Sequence, residues 1–169
     1  MSLIIHDLAD DEFENIYKEH IKTRDVIIGP DSKGEFCQGC FKCFVNNTGK
    51  CIFEDDYSKI EDELARSGDV IIISECVYGC YSARVKLAFE RAMPYLLPYM
   101  ITLRDKDHHI LKHHKKINYR IYFYGKNLTD EEKDNARLIS EENAFEWNMK
   151  KDYICNVKFF QELEDIRIN

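Results

Sequence analysis

The run Asp69-Val70-Ile71-Ile72-Ile73-Ser74 constrains the fold more than any other stretch. Four consecutive apolar β-branched residues make a strand whose two faces both need cover, as in a parallel sheet with helices on each side. The neighbouring segments fit that arrangement. Asp56 caps a helix with Tyr57, Ile60 and Leu64 on one face, and Gly68 stops it. Ser82 opens another with Val85, Phe89 and Ala92 inward, halted near Pro94.

The alternation continues in both directions. Leu3 to Leu8 and Asp25 to Gly29 read as strands around a helix at Asp11 to Ile21, whose Phe13, Ile16, Tyr17 and Ile21 share a face. Asp11 and Glu14 are spaced as a capping box, and so are Thr129 and Glu132. The second box opens a long helix with Leu138, Phe145 and Met149 on one side. Ile117 to Tyr124 and Tyr153 to Phe159 complete the strands, while residues 94–116 read as irregular and polar. Five strands separated by helices imply right-handed crossovers. The expected architecture is α/β, a three-layer sandwich forming one domain over 1–169, with a five-stranded parallel sheet in the order 2-1-3-4-5. Its ligand crevice lies at the carboxyl ends of the strands, at loops 6–11, 75–82 and 124–129, with the cysteine loop 30–54 beside it. The residues after Phe160 allow only about two helical turns, too few to cover the sheet face. That deficit predicts a dimer contact that includes Val157 and Phe159, with Tyr95 and Tyr99 adding apolar surface.

The net charge of −7 disfavours a nucleic-acid binder, which needs a Lys or Arg for each phosphate contact. The apolar runs are too short to span a bilayer, and the amino-terminal stretch has no basic region and turns acidic at Asp7, which predicts no secretory signal. Seven cysteines in such a chain point to a reducing, cytoplasmic setting, and the odd count argues against a full disulfide framework.

Three stretches carry a resemblance. The first is Cys37-Gln38-Gly39-Cys40-Phe41-Lys42-Cys43, followed by Gly49-Lys50-Cys51 and Asp55-Asp56. The second is Val77-Tyr78-Gly79-Cys80-Tyr81-Ser82-Ala83, followed by Lys86 and Glu90-Arg91. The third is Tyr124-Gly125, followed by Thr129-Asp130-Glu131-Glu132. In order and spacing, over roughly residues 24–159, the chain resembles the NADPH-dependent FMN reductase and iron–sulfur flavoprotein family. The resemblance implies a flavodoxin-like fold, a homodimer or homotetramer, FMN at the strand ends, and hydride transfer from NAD(P)H to the flavin. It implies cofactor contacts from Cys76, Val77, Tyr78, Gly79, Tyr81, Ser82, Tyr124 and Gly125. No catalytic acid or base is required, because the flavin carries the redox chemistry.

The chain departs from that family at two places. The family's first loop, roughly Gly-Ser-Pro-Arg, cradles the FMN phosphate; here it reads His6-Asp7-Leu8-Ala9-Asp10-Asp11-Glu12. Two unit charges about 5 Å apart at an effective dielectric of about 20 repel by about 3 kcal/mol, or a hundredfold in affinity. The usual phosphate site is lost. Cys76 stands where the family has proline, and the turn after it is one residue shorter. Tyr78 and Tyr81 remain to supply an aromatic wall.

Cys37, Cys40, Cys43 and Cys51 have the spacing C-x2-C-x2-C-x7-C, which can wrap a [4Fe–4S] cluster. Zinc and plain reduced thiols, in a loop shaped by Gly39 and Gly49, are the competing readings, and the thiols are preferred. Cys76 and Cys80 near a helix amino terminus could be reactive, but small buried apolar residues are the simpler account. His108, His109, His113 and His114 among Lys106, Lys112, Lys115 and Lys116 read as a solvated positive loop, able to meet a nucleotide phosphate, rather than a metal site. Two functions follow: a flavin-dependent oxidoreductase, or a flavin-free descendant used for binding or thiol redox sensing.

Overall fold

The computed structural model describes residues 1–17, 19–46, 49–149 and 153–166. In chain order its elements are β1 (Ser2–His6), α1 (Asp10–Tyr17), β2 (Val26–Ile28), α2 (Lys42–Val45), α3 (Ile60–Arg66), β3 (Asp69–Glu75) and α4 (Ala83–Arg91). There follow β4 (Leu96–Leu103), β5 (Lys106–Leu111), β6 (Asn118–Tyr124), α5 (Asp130–Glu146) and β7 (Cys155–Phe160). Five strands form one parallel sheet in the order β2-β1-β3-β6-β7, the doubly wound arrangement expected. No helix among the described residues is long and apolar enough to cross a membrane.

Strand alternation builds two cores. Leu3, Ile5, Val70, Ile72, Ile121 and Phe123 face the helices α3, α4 and α5. Ile4, Ile71, Ile73 and Tyr122 face Phe13 and Tyr17 of α1, and Ile166 after β7. β3 is therefore buried on both faces, as its composition requires.

Several boundaries and faces differ from expectation. α1 begins at Asp10, and the contact that closes its first turn lies two residues earlier than expected: the Glu12 carboxylate accepts from the Ala9 N–H at 3.1 Å. The Thr129–Glu132 box is present in full. Leu138 is exposed, because α5 turns its small residues Ala136, Ser140 and Ala144 to the sheet, where only small side chains let the helix approach. Residues 94–116 are not irregular: β4 and β5 form an antiparallel hairpin outside the main sheet. Its two-residue turn, Arg104-Asp105, holds both residues at positive φ, the geometry of a type I′ turn without the usual Asn or Gly. Pro98 coincides with a register shift in β4, as a residue without an N–H must.

After Phe160 a 3₁₀ turn occupies Leu163–Asp165, and the end of the expected short helix lies outside the described residues. Val157 and Phe159 do not lie on the face it would cover. They turn to the α5 side, where Phe159 stacks on Phe123 and lies under Arg137. Tyr95 is fully buried rather than an interface residue.

Candidate functional site at the strand ends

The carboxyl ends of β1, β3 and β6 meet where the sheet order reverses, and one side chain ties them together. The Asp7 carboxylate accepts from the Glu75 N–H at 2.9 Å and from the Tyr124 hydroxyl at 3.0 Å, with the Ser74 hydroxyl at 3.4 Å. Burial, with Asp7 beside it, holds the Tyr124 phenol well above its usual range, so it stays a donor. The first loop thus has its own anion on the donors that face the crevice, and Glu12 takes the Ala9 N–H.

Behind that loop a groove of about 480 Å³ runs between α1 and the 29–32 turn. Asp10, Glu14, Asp31, Asp56 and Lys59 contribute its charge, and Lys59 is already paired with Asp56 at 3.1 Å. A hydrogen bond with Asp31 raises the Asp10 carboxyl above its ordinary range. His6 is buried, stacked on Phe13 at 3.8 Å, and burial lowers its pKa to about 4.

The turn after β3 is as short as the sequence indicates. Val77 and Cys80 exchange both backbone hydrogen bonds, at 2.8 and 3.0 Å, around Tyr78 and Gly79. Both central residues have positive φ, 51° for Tyr78 and 73° for Gly79. Gly79 is required there, since a Cβ would come within 3.0 Å of the Glu132 carbonyl oxygen on α5. Tyr78 is not required: a bulky residue in the left-handed region is strained by roughly 1–2 kcal/mol. Its ring is 91% exposed at the lip of the crevice. The turn is held by the Cys76 N–H on the Tyr124 carbonyl (2.8 Å) and the Ser82 N–H on the Ser74 hydroxyl (2.9 Å). Ser82 caps α4.

Tyr81 does not join an aromatic wall. Its ring packs inward between Phe89 and Phe123, and its hydroxyl donates to Ser140 at 2.9 Å. Cys76 is buried, and burial raises its thiol pKa, which suits a core residue more than a nucleophile. Gly125 donates its N–H to Phe160. Beyond it, a groove of about 550 Å³ is lined by Leu128, Lys133, Arg137, Lys158 and Phe160.

The start of the cysteine loop, Asp31 and Ser32, lines the groove behind the first loop, but its four cysteines lie elsewhere. The Arg91 guanidinium, at the far end of α4, grips both ends of the loop: Asp55 at 2.7 and 2.8 Å, the Glu35 carbonyl at 2.6 Å and the Phe53 carbonyl at 3.4 Å. The nine residues of α4 separate it from the 76–82 turn by about 13 Å. Cys37, Cys40, Cys43 and Cys51 line one small recess with Arg91 and Pro94. Burial, and then the neighbouring Cys51, raise the Cys43 thiol. Among the described residues, no three Cys, His, Asp or Glu side chains stand ready to hold a metal ion, so the donor set converges without a formed coordination shell.

The histidine-rich segment is also committed elsewhere. It is the β5 strand and its exit, at the amino ends of the main strands. His108 meets Glu146 at 2.5 Å, Lys112 and His113 meet the buried Glu61 at 2.7 and 3.0 Å, and Lys115 donates to the Arg66 carbonyl. Within one protomer it lies at the end of the sheet opposite the crevice, so it cannot replace the missing phosphate cradle.

No protein-family model matches the sequence, and no curated protein does. Among solved structures, the fold matches a FMN-dependent NADH-azoreductase from Bacillus anthracis in complex with FMN, at 13% identity over 98% of this chain and 89% of that one, TM-score 0.52. It also matches an azoreductase from Bacillus anthracis str. Sterne, at 12% identity over 94% and 86%, TM-score 0.52. What such distant likeness establishes is the architecture: this chain shares the flavodoxin-like α/β sandwich of those azoreductases.

Proposed function

We propose that the chain is an oxidoreductase that holds a flavin ring at its strand ends, the flavin being reduced by NADH or NADPH. The observation that carries this reading is Tyr78, an exposed aromatic ring kept in a strained turn at the switch point of the sheet. Strain of this kind persists where the surroundings over-determine it, and it clusters at ligand sites. Tyr78 and Gly79 would border the ring, with the 76–77 backbone, Tyr124 and Gly125 around it. The ring end of FMN fits these residues. Its phosphate end does not fit the first loop: Glu12 takes the loop's Ala9 N–H, and Asp7 takes the Glu75 N–H and the Tyr124 hydroxyl that face it. A bound flavin supplies hydride acceptance, so the chain needs to supply position and electrostatics alone. Lys133, Arg137 and Lys158 around the groove beyond Gly125 are the cations that suit the phosphates of a nicotinamide nucleotide.

Flavin titration, followed by fluorescence quenching, tests the reading. Tyr78→Gly should weaken binding about tenfold, on the scale of one lost stacking contact. The same change should raise stability by about 1 kcal/mol by relieving the left-handed turn. Unchanged affinity in that variant would remove Tyr78 from the site.

A second reading is favoured by the cysteine recess: a flavin-free protein that binds a metal or senses thiol oxidation through Cys37, Cys40, Cys43 and Cys51. A [4Fe–4S] cluster there would need the exposed Cys37 and Cys40 to turn inward. Protein purified without oxygen and showing the four thiols but no flavin affinity would support this alternative.

A further inference from the structure

Resting on the flavin reading above, we infer that the crevice selects a flavin that ends in a free hydroxyl, of the riboflavin class, over its phosphate ester. The disagreement between the fold and the first loop is more than a missing cradle. The loop's own anions take donors on it and on the strand ends facing it. Asp7 lies on the Glu75 N–H and the Tyr124 hydroxyl, and Glu12 lies on the Ala9 N–H at the start of α1.

The surroundings reinforce the preference. The adjoining groove presents Asp10, Glu14, Asp31 and Asp56 against one lysine, itself paired. Lys112, His113 and Lys115 are engaged at the opposite end of the strands. A phosphate dianion approaching this loop meets like charge. A ribityl chain with a terminal hydroxyl meets acceptors, since a carboxylate accepts from any O–H that reaches it. The same residues that repel the ester therefore hold the alcohol.

The test compares riboflavin with FMN on the purified full chain, following fluorescence quenching at low and at high ionic strength. Riboflavin should bind at least about tenfold more tightly than FMN at low ionic strength, and salt should narrow the gap because the repulsion is screened. Asp10→Asn, at an exposed position, should narrow the gap several-fold, strengthening FMN by removing a like charge and weakening riboflavin, which loses a carboxylate acceptor. Asp7→Asn, which keeps the shape and an acceptor oxygen, should improve FMN further. FMN binding as tightly as riboflavin, or a gap that ignores salt and both substitutions, overturns the inference while leaving the flavin reading intact. Binding of neither ligand overturns the flavin reading itself and this inference with it.

Discussion

Replacing Asp55 by Asn should destabilise the chain by about 3 kcal/mol, because it leaves a buried charge without its counter-ion. The Arg91 side chain is fully buried, and its guanidinium makes two hydrogen bonds to the Asp55 carboxylate. Burial alone would raise the Asp55 carboxyl, but Arg91 and the Glu35 N–H hold it below its usual range. Breaking a buried pair from one side costs about 3–5 kcal/mol, and Asn, which keeps the shape and one acceptor, belongs at the lower end. That is a large share of the roughly 5–15 kcal/mol available to a domain. Removing both partners should cost less than the sum, since Asp55→Asn with Arg91→Met leaves no orphaned charge. Urea unfolding at pH 7, read from the fluorescence of Trp147, the one tryptophan, measures all three variants. A single-variant loss within about 0.5 kcal/mol of zero, or simple additivity in the double variant, would refute the reasoning.

His6 adds a pH dependence of definite sign. Its folded pKa of about 4 lies below the ordinary 6.5, so the unfolded chain binds the proton more readily. Stability is fully present above pH 6.5 and falls as acid is added, by about 2 kcal/mol at pH 5; His6→Phe should remove that share of the slope in urea titrations at the two pH values. Anaerobic protein assayed for iron and acid-labile sulfide should contain both if the cysteine recess holds a cluster, with Cys40→Ser abolishing them; stoichiometric zinc would give the recess to the other metal. Tyr99, Met100 and Ile101 form an exposed apolar run on β4, so light scattering after gel filtration should give at least a dimer mass, and Met100→Asp should lower it; a monomer at micromolar concentration ends that proposal.

The main sheet was legible because its signals are local. Val70 to Ile73 can satisfy both faces only as an inner strand, and Thr129 with Glu132 states where α5 begins. The hairpin was hidden because its turn is made by Arg104 and Asp105, which adopt positive φ without a glycine, and because Pro98 interrupts the alternation of β4. Leu138 misled because helix–sheet contact here uses the small residues of α5. Within the site, the shortness of the Tyr78 turn was readable only against the pattern of the flavoprotein family that the sequence resembles. The role of Asp7 was not. Its partners Glu75 and Tyr124 are 68 and 117 residues away, so the sequence shows only a repelling charge, whereas the fold makes that charge a tie between three strands.

The position of Arg91 decides how the two chemistries of this chain relate. It clamps the cysteine loop at the carboxyl end of α4, while the Ser82 cap at the other end of the same helix supports the Tyr78 turn. About 13 Å of helix lies between them, too far for a cysteine of the recess to touch a ring at the crevice. One route by which thiols there can act on a bound flavin is α4, by way of the loop's grip on Arg91. Loss of a recess thiol should therefore leave flavin affinity intact, whereas loosening Arg91 should disturb both ends.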